Sequence, residues 1–135
     1  MSTVALTQPY RMKDATLTVA ADDFTAAVDG AVFNAAAAPV WKGIGGSRRT
    51  APADWTLNVS AAQDLAAGSL QRYLLANEGT EKAVVLTPVA DGPTVSATVV
   101  IAAPSAIGGP ASETNLVGFT AAMECTGTPV FDDPV

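Results

Sequence analysis

Chemistry, if this chain performs any, has to be drawn from very few residues. The most suggestive stretch is Trp41-Lys42-Gly43-Ile44-Gly45-Gly46-Ser47-Arg48-Arg49-Thr50, a glycine-rich run holding three of the seven basic residues. Glycine-rich loops cradle phosphate through backbone N–H groups. A nucleotide loop of that kind ends in Gly-Lys-Ser/Thr, so that the lysine reaches the β/γ-phosphates and the hydroxyl reaches magnesium. Here the order is Gly46-Ser47-Arg48, and no dinucleotide pattern sits between a strand and a helix. The spacing therefore points away from nucleotide binding. A basic arm ordered by a partner is the expected role, with the acidic face of a neighbouring subunit as its complement.

Catalytic groups are poorly supplied. The chain has no histidine, so the commonest general base and metal ligand is missing. The single cysteine, Cys125, has no imidazole to hold it as a thiolate and shares a strand face with Ala121 and Met123. A buried structural thiol is the expected role. Paired carboxylates carry out glycoside hydrolysis, but Asp22-Asp23 reads as a turn and Asp132-Asp133 lies near the chain end. Solvated acids are expected at both. Asn58-Val59-Ser60 matches a glycosylation sequon, which has meaning only in a secreted protein. Of two candidate aromatic platforms, Trp55 alternates with Leu57 and Val59 and is expected in the core. Trp41, at the base of the basic stretch, either anchors it or fills a subunit contact. No catalysis, cofactor or metal is expected.

The elements that would position these residues are mostly strands. Ala15-Thr16-Leu17-Thr18-Val19 alternates apolar and threonine positions, Asp22-Asp23 turns the chain, and Phe24 to Val28 begins the return. Further strands are expected at Val28 to Ala36, Trp55 to Ser60, Lys82 to Val89, Thr94 to Ala102, Val117 to Cys125 and Val130-Phe131. Asp91-Gly92-Pro93 makes the turn of a hairpin, and the run Ala83 to Leu86 suggests burial on both faces. One segment changes period. Leu70, Tyr73, Leu74 and Asn77 fall on one helical face, with Ser69 as N-cap and Gly79 as terminator. Such a helix is too short to stand alone in water. The expected fold is mainly β: a β-sandwich or open barrel in a single domain of residues 1–135, with one short flanking α-helix and a long basic loop at about 39–52. A second long connection runs from Pro104 to Thr114.

Composition narrows the role. Alanine makes up about a fifth of the 135 residues and aromatics only 6%, so a monomer has a modest core that subunit contacts would supplement; a genomic bias towards alanine would give the same composition. The net charge of −6 disfavours binding of free nucleic acid, which rests on neutralising phosphates. Residues 1–14 contain no apolar signal-peptide core, and the longest apolar run, Val95 to Ala103, is too short to span a bilayer. A soluble protein made in the cytoplasm is expected.

Several stretches together resemble the tail tube (major tail) proteins of long-tailed, siphophage-type phages, especially those of actinobacterial phages. They are Lys13-Asp14-Ala15-Thr16-Leu17-Thr18-Val19, Trp41-Lys42-Gly43, Trp55-Thr56-Leu57-Asn58-Val59-Ser60, Ala62-Gln63-Asp64, Gly68-Ser69-Leu70-Gln71-Arg72-Tyr73-Leu74 and Gly92 to Val99. The resemblance implies hexameric rings stacked into a tube, with inner strands joined into one barrel around a lumen. It implies assembly around a tape-measure protein, contact with tail terminator and distal tail proteins, and passage of DNA into the host. It further implies a location in the virion tail and no cofactor. On this view Trp41, Lys42, Arg48 and Arg49 contact an adjacent subunit or ring, although the three cations would alternatively line the channel. A capsid decoration protein or a carbohydrate-binding β-sandwich is the competing expectation; the latter should expose an aromatic cluster in a groove. A small hydrolase on a β-scaffold comes third.

Overall fold

The computed structural model describes residues 3, 5–6, 9–38, 40–111 and 117–133. Pro39 and the 112–114 part of the second connection lie outside them. The chain is mainly β with one short helix, in the order β1 (Thr16–Val19), β2 (Asp22–Asp23), β3 (Val28–Ala35), β4 (Val40–Lys42), β5 (Arg48–Thr50), β6 (Trp55–Ala62), α1 (Leu70–Ala76), β7 (Glu81–Thr87), β8 (Thr94–Val100), β9 (Gly118–Glu124) and β10 (Val130–Asp132). Among the described residues no helix is long and apolar enough to cross a membrane.

Three antiparallel sheets result. Five strands run β10-β8-β7-β1-β2, three run β3-β6-β9, and β4 pairs with β5 alone. The first two sheets face each other because their strands alternate. Leu17 and Val19, Val84 and Leu86, Leu57, Val59 and Ala61, and Phe119, Ala121 and Met123 all point inward and are buried. Register keeps these rows together: Leu57 lies opposite Met123, Val59 opposite Ala121 and Leu17 opposite Leu86. A one-residue slip would turn each row to solvent, so burial fixes the pairing.

Among the described residues the sheets join at one corner. Val99 bridges to Cys125, and the Thr126 N–H donates to the Thr98 carbonyl at 2.9 Å. On the opposite side β1 and β3 are not sheet neighbours, so the sandwich is an open barrel with a seam there. Helix α1 packs Leu70 and Leu74 into the core, and Tyr73 meets Phe24 with ring centroids 5.4 Å apart. Its ends are closed as the sequence suggests. The Ser69 hydroxyl accepts from the Arg72 N–H, and the Asn77 N–H donates to the Tyr73 carbonyl. Gly79, at φ +85°, then turns the chain so that its N–H donates to the Ile101 carbonyl at 2.8 Å.

Several expectations are corrected. The turn after β1 is Ala20-Ala21, both at positive φ, while Asp22-Asp23 forms the returning strand and Phe24 to Ala27 is turn. Pairing with β7 places Val19 in the core, so the chain must reverse immediately after it. The segment Ala83 to Leu86 is buried mainly on one face, since only Val84 and Leu86 are fully inward. Trp55 is half-buried rather than a core residue.

Candidate functional site

The basic stretch is a hairpin rather than a loop. Val40 lies opposite Thr50, Trp41 opposite Arg49 and Lys42 opposite Arg48. The turn is built by glycine: the Gly46 N–H donates to the Gly43 carbonyl at 3.1 Å, and Gly46 sits at φ +90°. That is a three-residue hairpin loop ending in a left-handed residue, a position glycine fills without steric cost. The Gly43 N–H closes the ladder on the Ser47 carbonyl at 2.7 Å. Sequence reasoning saw the glycines and missed the hairpin because strands of three residues carry almost no alternation to detect.

Opposed residues of an antiparallel pair share a face. One face of the hairpin therefore carries Val40, Lys42, Arg48 and Thr50, and the other carries Trp41 and Arg49. All six strand residues are exposed. Trp41 remains 62% exposed even though its ring lies over Gly43, where a Cβ would approach it to 2.8 Å. Lys42 and Arg48, directly opposite, are like charges that disfavour one another. A two-stranded hairpin of this size is marginal in water by itself. The structure thus brings the four sequence-chosen residues Trp41, Lys42, Arg48 and Arg49 onto one projecting element.

A groove occupies the β1–β3 seam. It has a volume of about 250 Å³ and is lined by Met12, Asp14, Thr25, Asp29 and Val32 over a floor that includes Leu17 and Leu86. A β-bulge shapes its rim: Val28 pairs with Ala61 and Gly30 with Ser60, leaving Asp29 as the extra residue. Bulges re-aim side chains at sheet edges, and here an exposed carboxylate is the one displaced. Nearby, the Thr25 side chain and N–H both donate to Asp23. These bonds hold its carboxyl below the usual aspartate range. None of these groove residues was indicated by the sequence as part of a site, and a bulge leaves no signature in composition.

A second cleft, of about 590 Å³, lies between residues 9–10, the turn at 88–93 and residues 131–133. Pro9, Tyr10, Pro88, Pro93 and Phe131 line it, and Tyr10 and Phe131 are exposed. The sequence did not indicate this aromatic pair, because its members are over a hundred positions apart.

Cys125 is half-buried against the core. Burial, reinforced by Glu124, pushes its thiol upward in pKa, so it stays protonated at neutral pH and is a poor nucleophile. Among the described residues no group of three or more acidic or thiol side chains is placed to hold a metal ion.

The second connection is strapped to the body. The Gln63 amide donates to the carbonyls of Gly108 (3.1 Å) and Gly118 (3.0 Å), and its oxygen accepts from the Gly108 N–H at 2.8 Å. Buried Gln71 braces it from α1 with a 3.1 Å bond. Ser105 and Thr120 exchange further bonds across the edge of β9.

No protein-family model and no curated protein sequence matches the chain. Among solved structures, it is similar to the sheath/tube terminator of an extracellular contractile injection system, PVC, determined by cryo-electron microscopy in the extended state. The TM-score is 0.62 at 10% identity, covering 95% of this chain and 99% of that one. The chain therefore shares its fold, across almost the full length of both molecules, with a terminator subunit of a contractile injection system.

Proposed function

We propose that this chain is a structural subunit of a phage-type tail, forming homohexameric rings around a central channel and catalysing no reaction. The carrying observation is the fold it shares with a sheath/tube terminator over 95% of its length. The exposed basic hairpin supports the reading, because an unburied Trp41 opposite Arg49, with Lys42 and Arg48 on the other face, suits a protein–protein contact in an acidic protein. The open edge of β3 supports it too, since unpaired edges need either guarding or a partner. In this role the ring belongs to the virion tail and its partners are other tail components, including a tape-measure protein. DNA passes through without sequence-specific contact, helped by the net negative charge.

Stacked tube rings and a single terminating ring are two forms of this role, and the terminator likeness favours the second. Electron microscopy of the purified protein separates them. Tubes of indefinite length identify a tube subunit, and discrete six-fold rings identify a terminator. Monomers that bind a glycan through the Tyr10–Phe131 cleft would overturn both in favour of a carbohydrate-binding module, the reading which that cleft favours.

A further inference from the structure

We infer that the groove between β1 and β3, flanked by Asp14 and Asp29, receives the basic β4–β5 hairpin of a second copy of this chain. The inference rests on the ring reading above and supplies its acceptor surface.

Charge complementarity singles out the occupant. Residues 40–50 carry three cations and no acid, leaving four basic against thirteen acidic residues, a charge of −9, on the rest of the chain. The hairpin's natural complement is thus another copy's body. Its apolar side chains match as well: Trp41 and Ile44 are exposed on the hairpin, as are Met12 and Val32 on the groove rim. The groove holds about 250 Å³, below the roughly 300–1,000 Å³ of small-molecule sites. That volume suits a large side chain from another protein. No hairpin residue lines the groove within the same chain, so the chain's own hairpin does not fill it.

The bulge at Asp29 gives the site selectivity. Charged, bulged edges discourage indiscriminate strand pairing. A carboxylate there repels another acidic edge and attracts a basic one, including the Lys42–Arg48 pair that repel each other in the free hairpin. Donor and acceptor are different surfaces of one chain, so the contact is head-to-tail, and head-to-tail contacts close into rings when the rotation permits.

Sedimentation velocity over a concentration series tests this with two variants: Arg48→Glu/Arg49→Glu on the hairpin, and Asp14→Asn/Asp29→Asn on the groove. Asparagine is used at position 14 because Asp14 sits at φ +50°, a conformation asparagine tolerates. Each variant should keep the wild-type circular dichroism spectrum and weaken self-association by about tenfold or more. Mixed in equal amounts, the two retain one native hairpin–groove pair per complex and should stop at a heterodimer. A groove variant that forms rings as the wild type does would overturn the inference and leave the ring reading standing. A mixture that fails to dimerise, when each variant alone has lost association, overturns it as well. A wild-type chain that is monomeric at every concentration would sink both together.

Discussion

The two long glycine- and proline-containing connections look alike in sequence and behave oppositely in the fold. Residues 104–111 are strapped to the body by Gln63, Ser105 and Thr120, whereas the β4–β5 hairpin bonds to itself and exposes every strand residue. Charge separates them further, since residues 104–111 carry no ionisable side chain and the hairpin carries Lys42, Arg48 and Arg49. A segment that spends its hydrogen-bonding capacity on its own chain is part of the scaffold. One that completes a ladder and still presents cations and an indole to solvent is available to another molecule.

This contrast can be broken in graded ways. Gln63→Ala removes the acceptor of the Gly108 N–H and a donor to two carbonyls, so it should cost about 1–2 kcal/mol in a urea melt. Amide exchange at Gly108 should rise with it; an unchanged melt would mean that the strap bears no load. Gly46→Ala forces a Cβ into a left-handed conformation at φ +90° and should destabilise the hairpin by about 1–2 kcal/mol. That loss should be confined to exchange and chemical shifts of residues 40–50, because the hairpin adds little to the body. Arg48→Glu/Arg49→Glu should shift the global melt by no more than about 0.5 kcal/mol in the monomer; a larger drop would make the hairpin scaffold too.

The smallest effect concerns Asp23. Its carboxyl is held below the ordinary value of 3.8 by hydrogen bonds from Thr25, side chain first and backbone second. A depressed folded-state pKa contributes stability that is fully present above 3.8 and lost as pH falls through the lower folded value. In an NMR pH titration, Thr25→Ala should raise the Asp23 midpoint towards 3.8. A midpoint unmoved by the substitution would rule out that hydrogen bond as the cause.

Much of the framework was legible because strand alternation and helix capping act locally. Trp55 to Ser60 emerged as the core of β6, Thr94 to Ala102 as the hairpin arm that ends at Val100 in β8, and Ser69 as the cap of α1. The tail-type resemblance drawn from those stretches pointed to the same coarse architecture that the terminator likeness displays. What escaped was non-local. The turn at Ala20-Ala21 is set by pairing with β7 against the ordinary preference for Asn or Gly at positive φ. The strap through Gln63 joins residues 45 positions apart, a distance no periodicity spans.

The amino-acid sequence alone determined the small acidic β framework, its one helix, the poverty of catalytic groups, and the clustering of cations in one glycine-rich segment. All of these follow from residue type and near-neighbour spacing, which fix secondary structure and charge before the chain folds. Tertiary structure decided that the cations stand on a projecting hairpin and that β1 and β3 part to leave an acid-rimmed groove. The register of buried rows settles which edges stay open, and that register exists only once the two sheets have packed.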